Sequence, residues 1–292
     1  MATYNEPLSR TAKTLTTWGT LLALLLLANL ARAADTILTW HGHAAFEIVT
    51  PNGKVLMIDP WLKNSANPNA KDGKDPVTAV NKLDYILITH GHFDHTGDAV
   101  ALAKKTKARL ITNFELGGAM AKLQGYPKDQ MGFDSLINIG GEIAIADGEV
   151  TVIMVPAVHS GGIGNPFAGE KEPDAAYGGN PAGFVLKIKT GPTIYHSGDT
   201  AYFSDMRLIG EYAPDVALLN IGGHFGMEPA AAANAAKAVH ARLVIPHHYG
   251  TFPVLTQDPK PFAEDLTKKG VPVRVMQPGT SLTFKGKRLV TK

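Results

Sequence analysis

Thr89-His90-Gly91-His92-Phe93-Asp94-His95 sets three imidazoles and a carboxylate within six residues. These donors suit zinc and also serve iron or manganese. A His-x-His pair at a strand end lets two side chains reach one ion, and Asp-His just beyond can supply a second ion beside it. The chain has no cysteine, so thiolate sites and disulfides are excluded and any metal must use His, Asp or Glu. Further donors stand where other apolar runs stop: His159 after Val150–Val155, Asp199 after Thr193-Ile194-Tyr195-His196, and His248 after Leu243–Pro246. Two ions with a position left open for water need about this many ligands.

Other residues carry weaker signals. His43 is read as a substrate contact or a partner of a ligand, or else as a satisfied strand-end histidine. Asp59 is placed to orient a ligand imidazole, with a turn cap before Pro60 as its rival. His196, close to Asp199, faces the site or is a buried strand histidine. His247 is read as a loop imidazole without a ligand role, Asp147 as turn chemistry, and His41 and His240 are unassigned.

The elements that must position these groups are mostly short strands. Ile37–Trp40 and Ala45–Val49 lead through Pro51-Asn52-Gly53 to Val55–Ile58, which ends at Asp59-Pro60-Trp61. Residues Leu62 to Pro76, rich in Asn, Lys, Asp and Gly, predict an exposed loop. Tyr85-Ile86-Leu87-Ile88 is a buried strand running into His90. A helix is expected from Asp98 through Lys105, with lysines at its C-terminal end as the dipole prefers, and another from Glu115 to Leu123. Strands then dominate to Pro156. Ser160 to Asn180 predicts a long loop covering the substrate. An Ala-rich helix opens at Pro229 and a last helix spans Phe262 to Lys269. A terminal strand pair is expected near Val273 and Leu282. Each half runs from strands to strand–helix units, which predicts two similar layers packed face to face.

The first residues read as a targeting segment. Arg10 and Lys13 precede an apolar run from Trp18 to Leu30, followed by Ala31-Arg32-Ala33. This is the pattern of a secretory signal peptide over residues 1–33, ahead of one domain over 34–292. The rival is an uncleaved anchor, although the run is short of the ~20 apolar residues of a membrane span. An exported, periplasmic or secreted protein with no stable membrane span is therefore expected. Without residues 1–33, basic and acidic residues balance at 25 each. Such a chain lacks the basic footprint of a nucleic-acid binder, leaving a small-molecule substrate as the expected partner. Nothing indicates the oligomeric state.

His-x-His-x-Asp-His at 90–95 resembles the signature of the metallo-β-lactamase superfamily. Trp40–Phe46, Met57–Pro60, Tyr195–Thr200 and Ile245–Pro253 narrow the resemblance to metal-dependent hydrolases of unsettled substrate, similar to the ascorbate-6-phosphate lactonase branch. It covers essentially everything from Thr36 onward. It implies an α/β fold, a four-layer αββα sandwich of two mixed sheets, with a dinuclear site at one edge. By this resemblance His90, His92 and His159 hold one divalent ion, Asp94, His95 and His248 hold the other, and Asp199 bridges both; zinc is the first expectation, manganese or iron the alternatives. One stretch departs from the pattern. Ile221–Pro229 has Gly223, His224 and Glu228 where such relatives tend to read Asp, Asn and Gly, so His224 is a candidate substrate contact and transfer of a particular substrate is weakened.

The chemistry expected is hydrolysis by hydroxide generated on the metals, with Asp94 orienting the nucleophile or passing its proton to the leaving group. A lactone or other ester-type bond is the first choice, a phosphodiester the alternative. Outside enzymes, the rival is an exported metal- or ligand-binding protein without turnover. No G-x-S-x-G or S-x-x-K pattern offers a serine nucleophile.

Overall fold

Strands that are apolar at every position must bury both faces, and the centre of this fold is made of them. In the computed structural model, which describes Met1 and residues 34–164 and 175–290, β1 (Thr36–Trp40), β2 (Phe46–Val49) and β3 (Val55–Ile58) form an antiparallel meander. Parallel strands β4 (Tyr85–Leu87), β5 (Arg109–Asn113) and β6 (Leu136–Ile137) continue it. Leu56, Ile58, Leu87 and Ile111 point into the core between the sheets, while Met57, Ile86 and Leu110 point outward under the helix Ala99–Thr106. That alternation is the period-2 geometry of a strand covered on both sides.

The second sheet repeats the plan. β7 (Glu142–Ile145), β8 (Val150–Pro156), β11 (Ala182–Ile188) and β12 (Thr193–His196) run antiparallel, and β13 (Val216–Asn220) and β14 (Val244–His247) extend β12 in parallel. Between β8 and β11 the chain forms a separate ribbon of β9 (Gly162–Gly164) and β10 (Ala175–Tyr177). Ala232, Ala233, Ala235 and Ala236 of the helix Pro229–Ala238, with Phe262 and Leu266 of the helix Lys260–Lys268, cover this sheet. β15 (Ser281–Lys285) and β16 (Arg288–Val290) return to the first sheet beside β1. The result is the expected αββα sandwich, of an eight-stranded and a six-stranded mixed sheet.

Three local expectations need correction. The Leu62–Pro76 stretch is not simply exposed: Leu62, Asn64 and Asn67 are buried, because the asparagine side chains hydrogen-bond the loop's own backbone. The terminal strand pair is β15 with β16, and Val273 makes only an isolated bridge to Val244. The helix expected over Glu115–Leu123 runs Phe114–Ala119 and then widens into a π-turn over Met120–Gln124. The 1–33 targeting reading, Met1 apart, and the middle of the Ser160–Asn180 stretch lie outside the described residues. Among the described residues no helix is long and apolar enough to cross a membrane.

Candidate metal centre

Strand direction decides where the donors go. β3 and β4 are parallel, as are β12, β13 and β14, and β8 runs the same way as β12 because β11 is antiparallel to both. The residues that leave the C-terminal ends of β3, β4, β8, β12 and β14 are Asp59, His90, His159, Asp199 and His248, and they meet at one rim of the sandwich. His92 precedes the single helical turn Phe93–Thr96, which presents Asp94 and His95 together. Gly91 lets this turn lie against β9: a Cβ there would sit 2.8 Å from the Gly162 carbonyl oxygen.

Three imidazoles form one group. His92 Nδ1 is 3.0 Å from His90 Nε2 and 3.3 Å from His159 Nε2. His92 Nε2 faces Ser160 Oγ at 3.2 Å. Burial, reinforced by the charge of His95 at His90 and His92, lowers the pKa of these rings, so they remain neutral with lone pairs available. The tautomer of His90 follows from its neighbours. The Thr89 hydroxyl donates to Asp59 Oδ2 at 2.7 Å and so accepts from His90 Nδ1–H at 3.0 Å, leaving Nε2 bare toward the group.

The second group is more deeply buried and carries charge. His95 Nδ1 donates to Asp59 Oδ2 at 2.8 Å. Its Nε2 lies 3.3 Å from Asp199 Oδ2, and His248 Nε2 lies 2.9 Å from the same oxygen and 3.6 Å from Asp94 Oδ2. Neither His95 Nε2 nor His248 Nε2 points an N–H along these approaches, so both, with Asp199 Oδ1, lack a directed hydrogen bond. Burial opposes charge on the two rings, but the carboxylates facing them, Asp199 with Asp59 at His95 and Asp199 with Asp94 at His248, together outweigh it and hold both above the ordinary imidazole range, His248 at about 9. Burial likewise opposes ionisation of Asp94 and Asp199, yet the surrounding histidines keep both well below the usual carboxylate range. Two ionised carboxylates thus draw positive charge into a largely buried pocket, a demand that a divalent cation answers as well. Orphaned donor atoms, nitrogen and oxygen chemistry and mutual proximity all fit metal ions, and the groups are linked by His90, His95 and Asp199.

The remaining candidates divide. Asp59 is fully buried and orients His95 directly and His90 through Thr89; its other oxygen accepts from the Thr89 backbone N–H at 2.8 Å. His43 lies inside the second group, with Nε2 3.0 Å from Asp94 Oδ2. His196 spends both nitrogens on the scaffold: Nε2 donates to the Ala44 carbonyl, and Nδ1 accepts from the Gly198 N–H in the turn before Asp199. His247 is not in a loop; it is a fully buried residue of β14 whose ring packs, tilted, against that of His196. His224 is exposed, packs edge-on against Phe225 and, among the described residues, makes no hydrogen bond to the donor groups. The sequence reading missed Thr89, Thr251 and Asp98. Asp98, just before the helix Ala99–Thr106, accepts from the N–H groups of Leu62 and Lys63, fixing the turn that carries Trp61.

Above these groups opens a cavity of about 680 Å³. His92, Asp94, His159, Asp199 and His248 line its floor; Phe93, Phe225, Phe252, Pro253 and Val254 line its walls. Trp61 stacks on Phe252 behind this wall, with ring centroids 5.5 Å apart.

Comparison with known proteins identifies the family to which this fold belongs. Residues 54–249 match the family model described as the beta-lactamase superfamily domain. A UPF0173 metal-dependent hydrolase of Thermodesulfovibrio yellowstonii is 44% identical over 257 residues, covering 88% of this chain and 94% of that protein. One from Anaeromyxobacter dehalogenans is 51% identical, covering 87% and 89%. Among solved structures, Igni18, a metallo hydrolase of the archaeon Ignicoccus hospitalis, superposes with a TM-score of 0.72 at 33% identity over 86% of this chain and 99% of its own. With the fold, the histidine and aspartate groups and these relatives in agreement, the chain belongs to the UPF0173 metal-dependent hydrolases of the β-lactamase superfamily.

Proposed function

We propose that this hydrolase opens an ester-type bond, a lactone or related cyclic ester by first choice, at a centre of two divalent cations. His90, His92 and His159 would hold one cation, Asp94, His95 and His248 the other, and Asp199 would reach both. When bound, such ions bring the pKa of water from about 15.7 down to about 7 and polarise the carbonyl under attack. The observation that carries the reading is the convergence of these seven side chains into linked groups, five of them on the floor of a single cavity. Asp94 is partly exposed there, with 14% of its side chain accessible. Because its carboxylate stays ionised, its role is to orient the attacking nucleophile by accepting a hydrogen bond.

The walls favour a neutral carbonyl substrate over a phosphodiester. Among the described residues lining the cavity none is Lys or Arg. A phosphodiester commonly calls on such a cation, whereas an ester does not. The test is a panel of lactones and bis-aryl phosphates offered to protein loaded in turn with zinc, manganese and iron(II), with elemental analysis of each preparation. Lactone opening supports the reading. Turnover of phosphates alone overturns the ester assignment, and absence of turnover across the panel favours a binding protein. We also propose export through residues 1–33; a mature protein whose mass still includes them would reject cleavage.

A further inference from the structure

We propose that His43 and Thr251 are a positioning pair that holds the Asp94 carboxylate in place, and that His43 is not itself a metal ligand. His43 is fully buried. Its Nδ1 is 2.6 Å from Thr251 Oγ1 and its Nε2 3.0 Å from Asp94 Oδ2. Asp94 is a carboxylate, so only a protonated Nε2 makes that second contact favourable. His43 Nε2–H therefore donates to Asp94, and the Thr251 hydroxyl donates to Nδ1. This commits Asp94 Oδ2 and leaves Oδ1 as the less encumbered oxygen.

The backbone locks the same arrangement. His43 adopts a left-handed conformation, φ 51°, uncommon for any residue but glycine. Its carbonyl oxygen accepts from the His248 N–H at 3.1 Å and from Trp40 Nε1–H at 3.0 Å. The His43 ring also packs on that of His248, with centroids 3.8 Å apart. His43 thus ties the loop after β4, which brings Asp94, to the loop after β14, which brings His248 and Thr251. Two donors from different sheets are registered through one residue.

The inference rests on Asp94 belonging to the metal centre, so the test reads metal retention as well as turnover and holds whatever the substrate is. Full-length protein loaded with zinc is challenged with a chelator, and the cobalt(II)-loaded form is followed by its visible spectrum. Thr251→Val removes the donor at nearly constant volume and is expected to weaken metal retention about 10- to 100-fold, the range for partners of ligands, and to shift the cobalt spectrum. Thr251→Ser is expected to restore both. His43→Gln is expected to keep the wild-type number of metal equivalents while lowering affinity. A Thr251→Val protein identical to wild type in retention and spectrum would overturn the pair. Loss of a whole equivalent in His43→Gln would show that His43 is a ligand.

Discussion

The three-histidine group and the carboxylate-bearing group lie side by side yet are built on different principles. His90, His92 and His159 are neutral nitrogens, and His92 and His159 are partly open to the cavity. His95, Asp199 and His248 are buried and charged, and Asp59 holds His95 from behind. The first group gains little from electrostatics, and two of its three rings are partly exposed. The second concentrates opposite charges where screening is weak, so losing one partner strands another. The difference predicts that one half of the proposed site serves access and the other retention.

Removing the residue shared by both halves should have the largest effect. Asp199→Ala is expected to lower activity by about 10³-fold or more, since under the proposed two-ion centre several kcal/mol of transition-state stabilisation would leave with the ions. Elemental analysis should show loss from both halves; loss of one ion alone would show that the groups are independent. Next, His95→Ala should cost about 3–5 kcal/mol in denaturant unfolding, because it leaves Asp59 and Asp199 buried without their partner. His159→Ala, at the open group, should reduce metal content with little change in stability. Equal stability losses would erase the contrast. Asp59→Asn keeps the volume but weakens the acceptor serving His95 and Thr89; a 10- to 100-fold loss of metal affinity or activity is expected.

The smallest effect is a pH dependence of the chelator-stripped protein. His248 has a folded pKa raised to about 9. Its stabilising contribution is complete below the unfolded value of about 6.5 and fades as pH rises through about 9. The lowered imidazoles act in the opposite sense, their neutral forms becoming costly on acidification. Thermal melts of stripped protein should therefore fall on the alkaline side as well as the acid side, and zinc should flatten the alkaline fall. A stripped protein equally stable at pH 6.5 and 9 would contradict the charged reading of the second group.

How much of this was legible in the letters depends on distance along the chain. The residues 90–95 are local, and their donor types announce a metal before any folding is considered. His159, Asp199 and His248 stand at strand ends, and the parallel order of β12 to β14 brings the last two together. The supporting residues carry no such mark. Thr89 and Thr251 are ordinary threonines until Asp59 and His43 come within 3 Å of them. His247 and His248 are adjacent and chemically alike; only the end of β14 separates a core residue from one at the site. Nor does any letter reveal that Asp59 and His248, at φ 47° and 61°, are held in left-handed backbone at a cost of about 1–3 kcal/mol each.

β1 is hydrogen-bonded on one side to β2 and on the other to β15, and the turn that follows it delivers His43. One of the earliest described segments is thus braced by one of the last. Ion capture therefore reports that the polypeptide has closed on itself: a nascent chain halted before Ser281 would own every donor yet lack the brace beneath His43, and should retain metal poorly.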